Sequence, residues 1–177
     1  WKDYQEDRLK LAYPHVQDWS LAIDAGAHIG LLTRKLARRF EKVLAFEPHP
    51  DNFACLQRNC EDLQNVEVFQ QALGDKPGET GIDMRPTKNT GDRQLIEDGK
   101  GVEVITVDQL SLRSLGLWKL DLQGYEYRAL RGGSKTLAAF APVVIVEQEP
   151  PGKLQHDFNG QEKALWLLRK MGAGEVA

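Results

Sequence analysis

The sequence predicts a doubly wound α/β fold, in which helices cover both faces of a mostly parallel sheet. Three observations predict it. Short apolar segments alternate with helical segments over residues 20–73. The apolar segments are continuous rather than alternating, which is typical of parallel strands buried on both faces. A glycine-containing turn follows the first segment, and an acidic residue follows the second.

The size and composition fit one domain, which we expect to span residues 1–177. The 23 Lys and Arg residues against 26 Asp and Glu give a net charge of −3, which argues against a nucleic-acid partner held by a broad basic surface. The apolar runs are too short to cross a bilayer, and the first residues have no signal-peptide pattern. We therefore expect a cytoplasmic protein without a membrane partner. No pattern in the sequence specifies an oligomeric state.

The elements follow from the spacing of apolar residues and from turn residues. The first half is predicted as a helix at about 4–13, a strand at 20–25, a helix at 31–40, a strand at 43–46, a helix at 51–63 and a strand at 66–73. The second half is predicted as a loop or hairpin insertion at about 76–101, strands at 102–107 and 117–121, helices at 124–130 and 134–140, a strand at 143–147 and a helix at 161–171.

The turn after the first strand reads Asp24-Ala-Gly-Ala-His-Ile-Gly30. Gly26 permits a tight turn and a close approach to a ligand, and we expect Gly30 to let the next helix pack against the strand. Glu47 ends the second strand, about twenty residues beyond Gly26, where a carboxylate can accept hydrogen bonds from both hydroxyls of a ribose. These features predict an adenosine-type nucleoside across the strand ends.

The same residues favour one nucleoside cofactor. The dinucleotide motif G-x-G-x-x-G needs a second glycine where this chain has His28, and the Gly-Lys-Ser/Thr of a P-loop is absent. The carboxylate of Asp24 would repel a phosphate and attract an ammonium group. The pattern therefore favours S-adenosylmethionine (SAM) over NAD. The alternative is that the glycines only shape an α/β turn.

Four segments of the chain resemble the FkbM family of SAM-dependent methyltransferases, and the resemblance covers nearly the whole chain. The segments are Ile23-Asp-Ala-Gly-Ala-His-Ile-Gly30, Ala45-Phe-Glu-Pro-His-Pro50, Gln71-Ala-Leu-Gly-Asp75 and Leu120-Asp-Leu-Gln-Gly-Tyr-Glu126. The resemblance implies the Rossmann-like fold of class I SAM-dependent methyltransferases. It also implies O-methylation of a hydroxyl on a small molecule, such as a polyketide or a sugar unit of a glycan.

The resemblance also implies roles for single residues. The turn residues would border the methionine half of SAM, Glu47 would bind the ribose, and residues 71–73 would flank the adenine. Asp121 would face the methyl group and the acceptor. The cofactor residues implied are Asp24, Gly26, Ala27, His28, Gly30, Glu47, Pro48, Gln71, Ala72, Leu73 and Asp121.

The chain departs from the family pattern twice. Relatives commonly have Asp-x-Glu-Gly, whereas Gln123 precedes Gly124 here, so one carboxylate is lost on the acceptor side. In addition, the two antiparallel strands that usually end such folds have no counterpart before Ala177, which indicates truncation, disorder or a shortened edge.

A hydroxyl acceptor must lose its proton, and Asp121, Glu126 and His28 are the predicted catalytic residues, with Asp121 first. Alternatively, Asp121 only holds the amino group of SAM or a backbone turn, Glu126 is an acid at a helix N-terminus, and His28 covers the cofactor. No tight spacing of ligands supports a metal, so we expect no essential metal.

Two competing functions remain: a nucleoside-binding module that has lost catalysis, and an NAD-dependent oxidoreductase.

Overall fold

The computed structural model describes residues 6–82, 95–96, 99–147 and 160–174. In chain order the elements are α1 (Glu6–Ala12), a 3-10 turn (Tyr13–His15), β1 (Leu21–Ala25), α2 (Leu31–Leu36), β2 (Lys42–Phe46), α3 (Pro50–Cys60), β3 (Val66–Phe69), β4 (Ala72–Leu73), β5 (Gly78–Ile82), β6 (Leu95–Ile96), β7 (Val102–Ile105), a second 3-10 turn (Val107–Leu110), β8 (Leu117–Leu120), α4 (Glu126–Gly132), α5 (Ser134–Phe140), β9 (Val143–Val146) and α6 (Gly160–Lys170).

The central sheet has the strand order β3-β2-β1-β8-β9, and every neighbouring pair is parallel. All residues of β1 and β8 are buried, because these middle strands have helices on both sides. The order of the strands reverses between β1 and β8. The doubly wound α/β fold predicted from the sequence is therefore confirmed.

A second, small sheet has the order β4-β7-β5-β6. The prediction of one strand at 66–73 was wrong, because β3 ends at Phe69 and Ala72–Leu73 leave the central sheet to pair in parallel with β7. Within the predicted insertion, β5 pairs antiparallel with both β6 and β7. Residues 83–94 and 97–98 of that insertion lie outside the described residues.

Several helix boundaries also differ from the predictions, including the end of the helix predicted at 51–63, which lies at Cys60. The helix predicted at 31–40 ends at Leu36, although Phe40 is still buried in the core. The helix predicted to begin at Gly124 begins at Glu126, because residues 121–125 form the turn that closes the site. Within the described ranges, no helix combines the length and the apolar character that a membrane span needs.

Candidate active site

A cleft lies at the carboxyl ends of the central strands, where the strand order reverses. This is the usual ligand position in open α/β sheets. Including its solvent-filled mouth, the cleft has a volume of about 670 Å³. Eight of the predicted cofactor residues line it: Gly26, His28, Glu47, Pro48, Gln71, Ala72, Leu73 and Asp121. A smaller hollow shares Gly26, His28 and Asp121 with the cleft and is also lined by Ala27.

The turn after β1 is held against both neighbouring strands. The backbone N–H groups of Gly26 and Ala27 both donate to the carbonyl of Phe46 at 2.9 Å. Gly26 has φ +74°, and a Cβ atom there would lie 1.9 Å from the carbonyl oxygen of Asp121. Only glycine fits at this position, because the backbone conformation is left-handed and the end of β8 approaches closely.

Gly30 serves a different contact from the one expected. Its φ is +84°, and a Cβ atom there would lie 2.8 Å from the Leu56 side chain on α3. Gly30 therefore lets the start of α2 pack against α3 rather than against the strand, and it does not line the cleft.

Glu47 connects the cleft to the turn after β1. One carboxylate oxygen accepts the backbone N–H of His28 at 2.8 Å, and the other accepts that of His49 at 2.9 Å. Burial raises the pKa of Glu47, and the two backbone hydrogen bonds, Lys119 and the Asn52 side chain act in the opposite direction. A carboxylate accepts about four hydrogen bonds, and three donors already contact Glu47, so it can hold the turn and still accept a hydrogen bond from a hydroxyl group.

Asp24 lies beneath the cleft and not in its lining. Its carboxylate accepts a hydrogen bond from the Thr33 hydroxyl at 2.7 Å and pairs with the ammonium of Lys119 at 3.1 Å. The sequence argument that Asp24 attracts an ammonium group of the cofactor is therefore not supported, because Lys119 already neutralises it. The signal for this pairing was present: one acid and one base stand in two strands that are otherwise apolar.

Asp121 lines the cleft at the end of β8, with its side chain 16% exposed. It accepts a hydrogen bond from the Gln123 amide at 2.9 Å, lies 3.8 Å from the Lys119 ammonium, and shares a hydrogen bond with Glu147. Burial alone would raise the pKa of Asp121, but Lys119 and these hydrogen bonds together lower it. Glu147 in turn forms an ion pair with Arg8 of α1 at 2.8 Å.

Glu126 and His28 occupy different environments. Glu126 is 1% exposed, outside the cleft lining, and accepts the backbone N–H groups of Leu122 at 2.7 Å and Gly124 at 3.1 Å. These contacts fix the turn after β8 and do not support a catalytic role for Glu126. His28 lines the cleft in a left-handed conformation with φ 53°, and burial lowers its pKa.

Sequence reasoning missed several residues at the site. Phe46, Ile82 and Leu95 give the cleft apolar walls, and two of these three come from the small second sheet. Lys119, Glu147 and Arg8 surround Asp121. Lys119 is only two residues away, but Glu147 and Arg8 lie in distant segments of the chain, which concealed the arrangement. In the described part of the chain, no group of three or more His, Cys, Asp or Glu side chains is arranged to hold a metal ion.

The strand order, the glycine turn and the acids that end β2 and β8 define the fold of class I SAM-dependent methyltransferases. The family model described as "Methyltransferase FkbM domain" matches residues 24–172, and the chain belongs to this family. The resemblance seen in the sequence is thus confirmed.

Two curated relatives are similar to this chain. "Methyltransferase 1" of Beauveria bassiana is 27% identical over 65% of this chain and 59% of its own length. "Hexuronic acid methyltransferase AglP" of Haloferax volcanii is 22% identical over 80% of this chain and 61% of its own length. The chain therefore spans about three fifths of the length of these relatives.

Solved structures show the same fold. A crystal structure of methyltransferase FkbM from Methylobacillus flagellatus has a TM-score of 0.54 and 21% identity, covering 73% of this chain and 32% of its own. A putative rRNA-methylase from Clostridium thermocellum has a TM-score of 0.53 and 15% identity, covering 98% of this chain and 82% of its own.

Proposed function

We propose that this protein transfers the methyl group of SAM to a hydroxyl oxygen of a small molecule or a sugar. One observation carries the proposal: the carboxylates of Glu47 and Asp121, at the ends of two strands, line the same cleft at the reversal of strand order. Glu47 is suited to the ribose hydroxyls, and Asp121 to the cationic end of the cofactor.

The charges around the cleft fit SAM better than a dinucleotide. SAM has a sulfonium and an ammonium group and no phosphate. Asp24 and Lys119 neutralise each other at 3.1 Å, which leaves Glu47 and Asp121 as the carboxylates that face the cleft. These two carboxylates attract a cation and would repel a pyrophosphate. The apolar side chains of Phe46 and Leu73 suit a flat adenine ring.

Bound SAM supplies an electrophilic methyl group. The new bond would join this methyl to the acceptor oxygen as the sulfur–methyl bond breaks, and the hydroxyl proton would pass to a base of the protein. The lowered pKa of Asp121 keeps it ionised and makes it a weak base. The lowered pKa of His28 leaves its imidazole neutral near pH 7 and able to accept a proton. We therefore assign the acceptance of the hydroxyl proton to His28 and the attraction of the cationic cofactor to Asp121. The sequence had instead placed Asp121 first among the catalytic residues.

The family and one relative support the acceptor class. AglP is named as a hexuronic acid methyltransferase, which supports a sugar acid as the acceptor. The net charge of −3 gives no support for a nucleic-acid acceptor. A uronic acid glycoside is thus the first acceptor to test.

Calorimetric titration with SAM, S-adenosylhomocysteine and NAD tests the cofactor. We expect micromolar binding of the first two and none of NAD. Binding of NAD alone would contradict the proposal. Glu47→Ala should weaken SAM binding, whereas Glu67→Ala, on the exposed side of β3, should not.

Turnover with radiolabelled SAM and a panel of uronic acids, neutral sugars, polyketides and RNA tests the acceptor. Label on a sugar or small-molecule oxygen is expected. Label on RNA would overturn the acceptor class. SAM binding without transfer to any acceptor would favour the alternative of a module that has lost catalysis.

A further inference from the structure

A charged side chain of β8 lies outside the lining of the cleft but lines the smaller hollow beside it. Lys119 is 4% exposed, and its ammonium donates to the carbonyl oxygen of Gly26 at 2.7 Å. The same nitrogen lies 3.1 Å from an Asp24 oxygen and 3.8 Å from an Asp121 oxygen. The proposed function uses this residue only as the cation that neutralises Asp24.

Core packing does not explain a lysine at this position. Its neighbours Trp118 and Leu120 are fully buried apolar residues, and burying an ammonium group is unfavourable unless it is paired. An ammonium has three donor hydrogens and no acceptor. The groups around Lys119 are the buried Asp24 carboxylate of β1, the turn after β1 and the carboxylate that ends β8.

We propose that Lys119 is a positioning residue, which connects the turn after β1 to the Asp121 carboxylate from outside the lining of the cleft. Its contact with Gly26 fixes the turn that carries His28. Its charge attracts Asp121, while the Gln123 amide holds the other oxygen of that carboxylate. The geometry of both sides of the cleft then depends on one ammonium group. This inference rests on the proposed function only in taking SAM as the cofactor.

Several charged groups act on Asp121, and the Lys119 ammonium lies 3.8 Å from it. Asp24 on β1 competes for the same ammonium, and Glu147 after β9 shares a hydrogen bond with Asp121. The remaining groups are His28 after β1, Arg8 of α1 and Glu126 at the start of α4. Because Arg8 pairs directly with Glu147, its charge cannot replace that of Lys119.

The test measures the ionisation of Asp121 in the full chain without any ligand. Carboxyl carbon NMR signals are titrated in the wild type, in Lys119→Met and in Lys119→Arg, and Asp121→Asn assigns the signal. We expect the pKa of Asp121 to rise by roughly one unit or more in Lys119→Met and to return toward the wild-type value in Lys119→Arg. Lys42→Met, which removes an exposed lysine of β2, is the matched control and should change nothing.

A second pair of variants keeps the test decisive if Lys119→Met does not fold. Lys119→Met combined with Asp24→Asn removes both buried charges and should still raise the pKa of Asp121. In Asp24→Asn alone, no second carboxylate competes with Asp121 for the Lys119 ammonium, so the pKa of Asp121 should fall further. An unchanged Asp121 titration in the folded variants would overturn the proposal.

Cofactor binding is a separate measurement. SAM affinity should fall roughly tenfold or more in Lys119→Met and much less in Lys119→Arg. If the wild type binds neither SAM nor S-adenosylhomocysteine, the proposed function fails, and the NMR titration still decides the role of Lys119.

Discussion

The backbone N–H of His28 donates to the Glu47 carboxylate at 2.8 Å, so the acid that ends β2 also fixes the turn that follows β1. The same carboxylate accepts from His49 at the start of α3. Three segments of chain therefore meet at one side chain. A cofactor bound to Glu47 would bind to a group that the fold already holds in place, so little additional ordering is needed on binding.

Replacing Glu47 should weaken both cofactor binding and the fold. Glu47→Ala removes hydrogen bonds to a charged group, each of about 1.5–3 kcal/mol, so SAM should bind roughly 10- to 100-fold more weakly. The change also leaves buried N–H groups without their acceptor, which costs about 1–3 kcal/mol each. Calorimetry and urea denaturation measure the two effects. Equal SAM affinity in Glu47→Ala and the control Glu67→Ala would contradict the assignment.

Gly26 should tolerate no side chain. Gly26→Ala brings a left-handed backbone penalty of roughly 1–2 kcal/mol and places Cβ against the Asp121 carbonyl oxygen. Gly172→Ala is a matched control, because Gly172 has φ +87° but open space around it. Urea denaturation should show that Gly26→Ala loses at least about 2 kcal/mol more stability than Gly172→Ala. Similar losses of stability in the two variants would show that the close approach of β8 to Gly26 adds no cost to a side chain there.

The pH dependence of methyl transfer should identify the base. A histidine base must be neutral, so the rate should fall as the pH drops through its pKa. Because burial lowers the pKa of His28, this fall should occur at a lower pH than for an ordinary histidine. His28→Gln should abolish the dependence and slow transfer by roughly 10²- to 10⁴-fold. His15→Gln, which changes an exposed histidine, is the control. A pH profile of His28→Gln that matches the wild type would exclude His28 as the base.

Gln123 should affect the ionisation of Asp121. Its amide donates to Asp121 at 2.9 Å, and an ionised glutamate could not donate there. Gln123→Glu, which restores the acid of the family pattern, should therefore raise the pKa of Asp121 by roughly one unit. Carbon NMR titration measures this shift, with Gln57→Glu on the exposed side of α3 as the control. An unchanged pKa would mean that this side chain does not interact with Asp121.

Local patterns predicted most of the fold. Continuous apolar runs and turn residues act over a few positions, and they located β1, β2, β8 and β9. The division of residues 66–73 could not be predicted in this way, because no breaker residue separates β3 from β4. The partner of β4 is β7, about thirty residues further along the chain. Such pairing depends on the whole fold.

The site was predicted where it depends on local turn chemistry and missed where it depends on register. Gly26 and Glu47 were identified because a tight turn and a strand-end acid have local signatures. The pairing of Asp24 with Lys119 arises because these residues are direct neighbours in the register of β1 and β8. That register is set across 94 intervening residues, so the charge of Asp24 could not be assigned from its own segment.

The double use of Glu47 also has an evolutionary consequence. A descendant of this chain that no longer methylated anything would still need the glutamate to hold the ends of two strands and a helix together. Selection for folding alone would preserve it. Its presence in a related sequence is therefore poor evidence of enzymatic activity.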